Sequence, residues 1–287
     1  MPLQTKALRL PIAASKLLYT LLRRNDRSLA LFGVLLANAM NVGFPWEDRA
    51  AKTRKVDPER RSYGDLLYPV WLLIEYSGLD VWRDKKAFCQ AKGVNKDYLK
   101  KLRRNTLTTI TLLNRASLPL PNDEPRDFKD LKMNPDVVDQ LKQYIGDCLK
   151  ELQVVKRLKD DRVCDQHGIM GRIHYKSLVL KDPAPFFAFS SSYVAVTTDR
   201  GGKKTTVTYY TGLTPLQSTK DLEERFASLV LKEEVYNQLT PHLREVLLAH
   251  NLGMLQMLQG ELGLALELDP DPTILKVCCF VMPLLPT

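Results

Sequence analysis

The sequence is poor in the residues that carry most metal and nucleophile chemistry. It has four histidines and five cysteines in 287 residues, and no further Cys or His pair completes a four-ligand site around Cys164 and His167. A Cys–His nucleophile pair at the same place is the alternative, but residues so close in sequence rarely face each other. The stretch DRGGKK at 199–204 lacks the P-loop spacing. We therefore predict no enzyme activity, no metal and no cofactor.

The sequence also lacks long apolar runs and a disulfide framework. No stretch of about 18 uncharged apolar residues exists, and the densest run, 29–44, contains two asparagines, so it predicts a buried core helix. The cysteine count is odd and the spacing wide, which predicts reduced thiols in an intracellular protein, in the cytoplasm or in a nucleoid or nucleus. The cysteines are Cys89, Cys148, Cys164, Cys278 and Cys279.

Positive charge is abundant, and it is unevenly distributed. The formal net charge is +9; residues 1–117 carry 22 Lys and Arg against 10 Asp and Glu, whereas residues 118–287 carry 20 against 23. Such asymmetry predicts nucleic acid or an anionic membrane as a partner. The alternative is a basic protein whose charge only aids solubility.

The first 25 residues contain five basic side chains and no acidic one. From Ile12 onward the leucines fit an amphipathic helix, which is typical of a transit peptide, of a membrane-surface helix or of the first core helix. We favour the core helix and consider a membrane partner unlikely.

The stretch AFCQAKGVNKDYLKKLRRN has the pattern of a helix–turn–helix. Gly93 suits a sharp turn that often needs a positive φ, and Asn95 is a good N-cap for a second helix. We therefore predict helices over 84–93 and 95–114 that meet at this glycine. The apolar positions of the motif are filled by Phe88, Cys89, Val94, Leu99 and Leu102. One position departs, because Lys92 precedes the glycine.

The second helix of this motif has a basic face. Its cations are Lys96, Lys100, Lys101, Arg103 and Arg104. In a major groove, Asn95 and Lys96 would reach base edges, while Arg103 and Arg104 would hold phosphates. The alternative is a solvated basic face without a ligand.

The rest of the chain predicts a second domain. Residues 118–135 are rich in proline and lack periodicity, so we place a linker there, between a basic helical domain (1–117) and an α+β domain (136–287). Asn134 and Pro135 begin an amphipathic helix that we extend to about residue 158. Helices are also expected at 219–238 and 241–259, with a terminal strand at 273–281.

A β-hairpin is expected around RGGK at 200–203, because two stretches rich in β-branched and aromatic residues flank it. Its basic tip, with Arg200, Lys203 and Lys204, would act as a wing on a phosphate backbone. The alternative is a plain exposed hairpin whose lysines prevent edge pairing. The predicted fold class is therefore α+β and mainly helical, with a single hairpin and a terminal strand.

The function predicted from these features is nucleic-acid binding, to DNA or RNA, through the helix–turn–helix-like element. One alternative is a structural subunit of a nucleoprotein assembly, such as a viral nucleoprotein or an RNA-guided effector, that binds the backbone without reading sequence and contacts other subunits. Another is a matrix-type interaction protein that uses residues 1–25 on an anionic membrane.

Overall fold

The computed structural model describes residues 8–11, 14, 17, 18, 20, 29–46, 58–115, 127–149, 153–198, 202, 204–227, 265–268 and 274–278. Six α-helices have their bounds within these ranges, namely α1 (Ala30–Val42), α2 (Gly64–Ser77), α3 (Trp82–Lys92), α4 (Lys96–Arg115), α5 (Pro135–Leu149) and α6 (Lys220–Ala227). Short 3₁₀ helices occur at Pro58–Tyr63, Phe128–Asp130 and Leu178–Lys181. Within the same ranges, no helix combines the length and apolar character that crossing a bilayer requires.

A seven-stranded mixed sheet follows the helices α1–α5. Its strands are β2 (Val154–Lys159), β3 (Arg162–Asp165), β4 (Met170–Ile173), β5 (Phe186–Ala188), β6 (Ser191–Thr198), β7 (Lys204–Thr211) and β8 (Thr214–Leu216). Their order is β6-β7-β4-β3-β2-β5-β8, and β4 with β7 is the parallel pair. A second, antiparallel sheet joins β1 (Leu8–Pro11), β10 (Ile274–Cys278) and β9 (Ala265–Leu268).

The prediction of a mainly helical fold with one hairpin is wrong, because the chain between 154 and 216 builds this seven-stranded sheet. The architecture is α+β only in the broad sense. The strands β3, β4, β5 and β8 have three or four residues each, too few to show a two-residue alternation. Their hydrogen bonds are formed with other strands, so tertiary pairing rather than local pattern stabilises them.

Two local predictions in this half have different outcomes. The predicted hairpin is present as β6 and β7, paired from Ser191–Thr211 to Thr198–Lys204. The predicted helix to residue 158 is too long: α5 begins as expected, with Asn134 Oδ1 accepting from Val137 N at 2.9 Å, but it ends at Leu149. Val154 and Val155 instead belong to β2, where they pair with β5.

Helix α1 is buried on all sides, as the apolar run predicts. Its polar side chain Asn38 is satisfied internally: Nδ2 donates to Val34 O at 2.8 Å and to Thr109 Oγ1 of α4 at 3.0 Å. An unsatisfied amide in this core would cost about 1–3 kcal/mol, so the pair with Thr109 fixes how α4 lies against α1.

Asp65 joins the helices to the sheet. It lies in the first turn of α2, and its carboxylate accepts from Ser177 Oγ (2.8 Å), Leu178 N (2.8 Å) and Leu213 N (3.0 Å). Gly64 precedes it with a φ of 64°, and a Cβ there would lie 2.6 Å from Leu213 O. The close approach of α2 to the β7–β8 connection therefore requires glycine.

The largest hydrophobic core contains residues from both sides of the predicted linker, including Leu35, Leu67, Leu141 and Ile145. Part of the linker itself is anchored, since Phe128 and Leu131 are buried. The division into two domains stays a prediction.

The remaining helices and the strand predicted from the sequence fall partly outside the described residues. Positions 14, 17, 18 and 20 are helical, in agreement with a helix from Ile12, and Ala14, Leu17 and Leu18 are buried. The predicted terminal strand is present as β10. Helix α6 begins as predicted, with Thr219 Oγ1 accepting from Leu222 N at 3.3 Å, but residues 228–264 lie outside the described ranges.

Candidate nucleic-acid interface

The turn between α3 and α4 is a Schellman motif centred on Gly93. This glycine has φ 62° and ψ 32°, its N–H donates to Gln90 O at 3.2 Å, and Val94 N donates to Cys89 O at 2.9 Å. Cys89 and Val94 are both buried in the same core, and they occupy the two positions at which a hydrophobic contact often accompanies this motif. The prediction of two helices that meet at Gly93 is therefore confirmed.

The turn is also tied to a distant segment of the chain. Asn95 N donates to Pro45 O at 2.8 Å, and Trp46 forms an isolated antiparallel bridge with Val94. Trp46 is buried, and its indole Nε1 donates to Lys176 O at 2.8 Å. The turn is thus held against the segment Pro45–Trp46, whose tryptophan is part of the core.

Asn95 is the N-cap of α4. Its Oδ1 accepts from Asp97 N at 2.8 Å and from Tyr98 N at 3.4 Å. A bidentate contact with an adenine edge needs both Oδ1 and Nδ2 of an asparagine. Because Oδ1 already satisfies two helical amides, such a contact would cost the cap, so Asn95 is poorly placed for the role that the sequence suggests.

The inner face of α4 fixes the direction of its outer face. The buried side chains are Tyr98, Leu99, Leu102, Thr106, Thr109, Leu112 and Leu113. Burial raises the pKa of Tyr98, whose hydroxyl has no hydrogen-bond partner in the described part of the chain. Tyr98 therefore belongs to the core and is not available for stacking.

The outer face of α4 carries exposed cations. Lys100, Lys101, Arg103 and Arg104 are all exposed. Lys100 has an exposed ion pair with Asp97 at 3.3 Å, while no ion pair of the other three is found within the described ranges. A shallow depression of about 380 Å³ follows this face, and its lining includes Lys100, Arg103, Arg104, Leu107, Thr108 and Thr111.

An exposed tryptophan, which the sequence analysis missed, lies beside this basic helix. Trp82 begins α3, and 62% of its surface is exposed. Lys86 Nζ lies 5.5 Å and Lys96 Nζ 5.0 Å from the centre of its ring. The only signal in the sequence is the i, i+4 spacing of Trp82 and Lys86, which places both on one side of α3.

The surroundings of Lys92 explain why a charged residue stands where the helix–turn–helix pattern has an apolar one. It is half-buried, and its Nζ lies 5.2 Å from the centre of the Trp71 ring. The guanidinium of Arg60 lies 4.5 Å from the same ring centre. A cation is therefore accommodated before Gly93 by an aromatic face rather than by an apolar pocket.

The predicted wing is described only in part. Arg200 and Lys203 lie outside the described residues, and Lys204 begins β7 opposite Thr198, with no description of its side chain. Whether the tip contacts a phosphate backbone stays a prediction.

The Cys164 and His167 pair has a structural environment. Cys164 is buried with Phe186, Leu222 and Phe226, and burial raises the pKa of its thiol, which opposes thiolate formation. His167 N instead donates to Asp165 Oδ1 at 2.9 Å in the turn after β3. Among the described residues, no three His, Cys, Asp or Glu side chains cluster closely enough to hold a metal ion.

Three of the five cysteines are buried free thiols, as predicted: Cys89, Cys148 and Cys164. The side chain of Cys278 and all of Cys279 lie outside the description.

The site is thus the outer face of α4 together with Trp82, held by a capped turn. The chain matches no protein-family model, and no curated protein is significantly similar to it.

Proposed function

We propose that this protein binds nucleic acid through the outer face of α4 and the adjacent Trp82. The observation that carries the proposal is the set of exposed cations Lys100, Lys101, Arg103 and Arg104, presented on a helix whose opposite face is fixed in the core. Lysine and arginine in this arrangement neutralise phosphates and release counterions.

Two contacts favour backbone binding over base reading. Asn95 uses Oδ1 for the cap, and Lys96 lies against Trp82, so both residues expected at base edges already have structural contacts. An exposed indole beside cations is the arrangement that stacks an unpaired base. Within the proposed function, a subunit that tracks the backbone without sequence readout is therefore the favoured form, and sequence reading through the helix–turn–helix-like element is the second.

A salt titration with duplex DNA and single-stranded RNA tests the proposal. The slope of log K against log salt is about −0.9 per phosphate contact for duplex DNA and about −0.7 for single strands. Replacing Arg103 and Arg104 together by Ala should therefore flatten the slope by roughly 1.4–1.8 units. Folding should barely change, since exposed substitutions usually stay within about 0.5 kcal/mol.

The matched control is the double variant K129A/K132A, which removes two exposed positive charges that belong to neither α3 nor α4. It should leave the slope unchanged. If R103A/R104A binds with the wild-type slope, the basic face is only solvated and the proposal is wrong. Binding to anionic vesicles without binding to nucleic acid would instead favour the membrane alternative.

Trp82 distinguishes the two forms of the proposal. Trp82→Ala should weaken single-stranded RNA binding by about 1–3 kcal/mol, the usual value of a stacked base, while Trp82→Phe should retain most of it. If the protein instead reads the sequence of a duplex, both Trp82 variants should bind nearly as tightly as the wild type, and the affinity should differ among duplex sequences.

A further inference from the structure

The large sheet exposes a pair of stacked tyrosines. Tyr193 of β6 is directly opposite Tyr209 of β7, their ring centres are 5.6 Å apart, and the ring planes differ by 28°. Tyr193 is 42% exposed. The neighbours Thr208 and Tyr210 are buried, because alternate residues of a strand face opposite sides of the sheet. The tyrosine pair therefore lies on the open side.

Cations continue the same row across the sheet. The register places Tyr209 beside Arg172 of β4, and Arg172 beside Arg162 of β3. Both arginines are exposed. At about 4.8 Å between strands, the row from Tyr193 to Arg162 spans roughly 14 Å. Arg172 Nη1 pairs with Asp161 Oδ2 at 3.3 Å, which occupies one of the five guanidinium donors.

The ring of Tyr175 extends this surface, and the neighbouring side chains of His174 and Lys176 lie against it. His174 follows β4, with its ring stacked on Phe44 at 4.8 Å and 4.4 Å from the ring of Tyr175. Tyr175 is 48% exposed, and Lys176 Nζ lies 5.8 Å from its ring centre. We call Tyr175, Tyr193 and Tyr209 with Arg162 and Arg172 the tyrosine–arginine surface.

We propose that the tyrosine–arginine surface binds single-stranded nucleic acid, with bases stacked on the tyrosine rings and phosphates on the arginines. Aromatic faces alone would suit many ligands, but a row of guanidinium groups beside them complements a polyanion that also presents flat rings. Duplex DNA keeps its bases stacked within the helix and cannot use the tyrosines. This inference extends the proposed function to a second surface.

The segment 44–46 connects this surface to the α3–α4 turn. Phe44 stacks on His174, Pro45 O accepts from Asn95 N, and Trp46 Nε1 donates to Lys176 O. Three consecutive residues thus contact the α3–α4 turn and the residues on either side of Tyr175, His174 and Lys176.

Fluorescence anisotropy of the full chain with oligouridylate, oligothymidylate and duplex DNA tests this inference. Tyr193→Ala should lower single-strand affinity by roughly 5- to 150-fold, and Tyr193→Phe should not, because the phenyl ring still stacks. Arg162→Ala should flatten the single-strand salt slope by about 0.7. Duplex affinity should be unchanged in all three. The two oligonucleotides distinguish RNA from DNA as the single strand.

Val196→Ala on the same strand is the control for a loss of strand stability, since Val196 is 64% exposed and outside the row. Ultraviolet crosslinking of oligouridylate to the wild-type protein is a second readout that needs no variant, and it should label peptides containing Tyr175, Tyr193 or Tyr209. An unchanged affinity in Y193A, or crosslinks confined to α3 and α4, would overturn the inference. An unchanged salt slope in R103A/R104A would overturn the proposed function alone.

Discussion

The side chain of Asn95 already has hydrogen-bond partners within the protein. Its Oδ1 accepts from the amides of Asp97 and Tyr98, two of the donors at the start of α4 that have no partner within the helix. The same oxygen would be needed to read a base. Capping of α4 and recognition of a base would therefore compete for the same oxygen of Asn95.

Replacing Asn95 by Ala should lower the free energy of unfolding by about 1 kcal/mol, because the cap is lost. Replacing it by Ser should leave stability nearly unchanged, since a serine hydroxyl caps equally well. Urea denaturation measures both. If N95S keeps wild-type stability and also keeps the preference among duplex sequences, Asn95 acts only as a cap. A changed preference in N95S would restore its role as a base contact.

At the scale of elements, the α3–α4 turn decides where the cations of α4 point. Gly93 has a left-handed backbone, and the two bonds of the Schellman motif depend on that conformation. Because Val94 is buried and Asn95 N is bonded to Pro45 O, a shift of this turn would rotate the basic face relative to the core.

Gly93→Ala should destabilise the protein by about 1 kcal/mol, since a Cβ disfavours the left-handed region by about 1–2 kcal/mol and the loss of glycine flexibility offsets a part of it. Gly93→Asn should cost less, because asparagine tolerates this conformation. Thermal or urea unfolding of both variants checks the order. Equal stability of G93A and wild type would contradict the geometry described for the turn.

At the scale of the whole molecule, Asp65 is a buried polar contact between the helical core and the sheet. Three donors from two distant segments, Ser177 Oγ, Leu178 N and Leu213 N, converge on its buried carboxylate. These bonds fix α2, and with it the helical core, against the edge of the sheet near β8.

Asp65→Ala should lower the free energy of unfolding by roughly 3 kcal/mol or more, because three buried donors lose their acceptor at about 1 kcal/mol or more each. Asp65→Asn keeps one acceptor oxygen, so its free energy of unfolding should lie between those of D65A and the wild type. Urea denaturation of the three proteins measures this order. A D65A protein as stable as wild type would show that these bonds contribute little to the union of helices and sheet.

The sequence by itself determined the features whose signals are local. The caps at Asn95 and Asn134, the turn at Gly93 and the apolar stripe of α4 act over three or four residues, so α3, α4 and the start of α5 could be predicted. The hairpin of β6 and β7 is also local, because a short glycine-containing connection pairs adjacent segments. The exposed cations of α4 follow from the same stripe, as the face opposite a buried face.

Only the tertiary structure decided the sheet and the surfaces built on it. Strands as short as β4 and β5 have no pattern of their own, and their register brings Tyr209, Arg172 and Arg162 into one row from positions far apart in the chain. Trp82 likewise became a surface residue only through the packing of α3. Which side chains meet across strands depends on pairing between distant segments, and a local pattern carries no information about it.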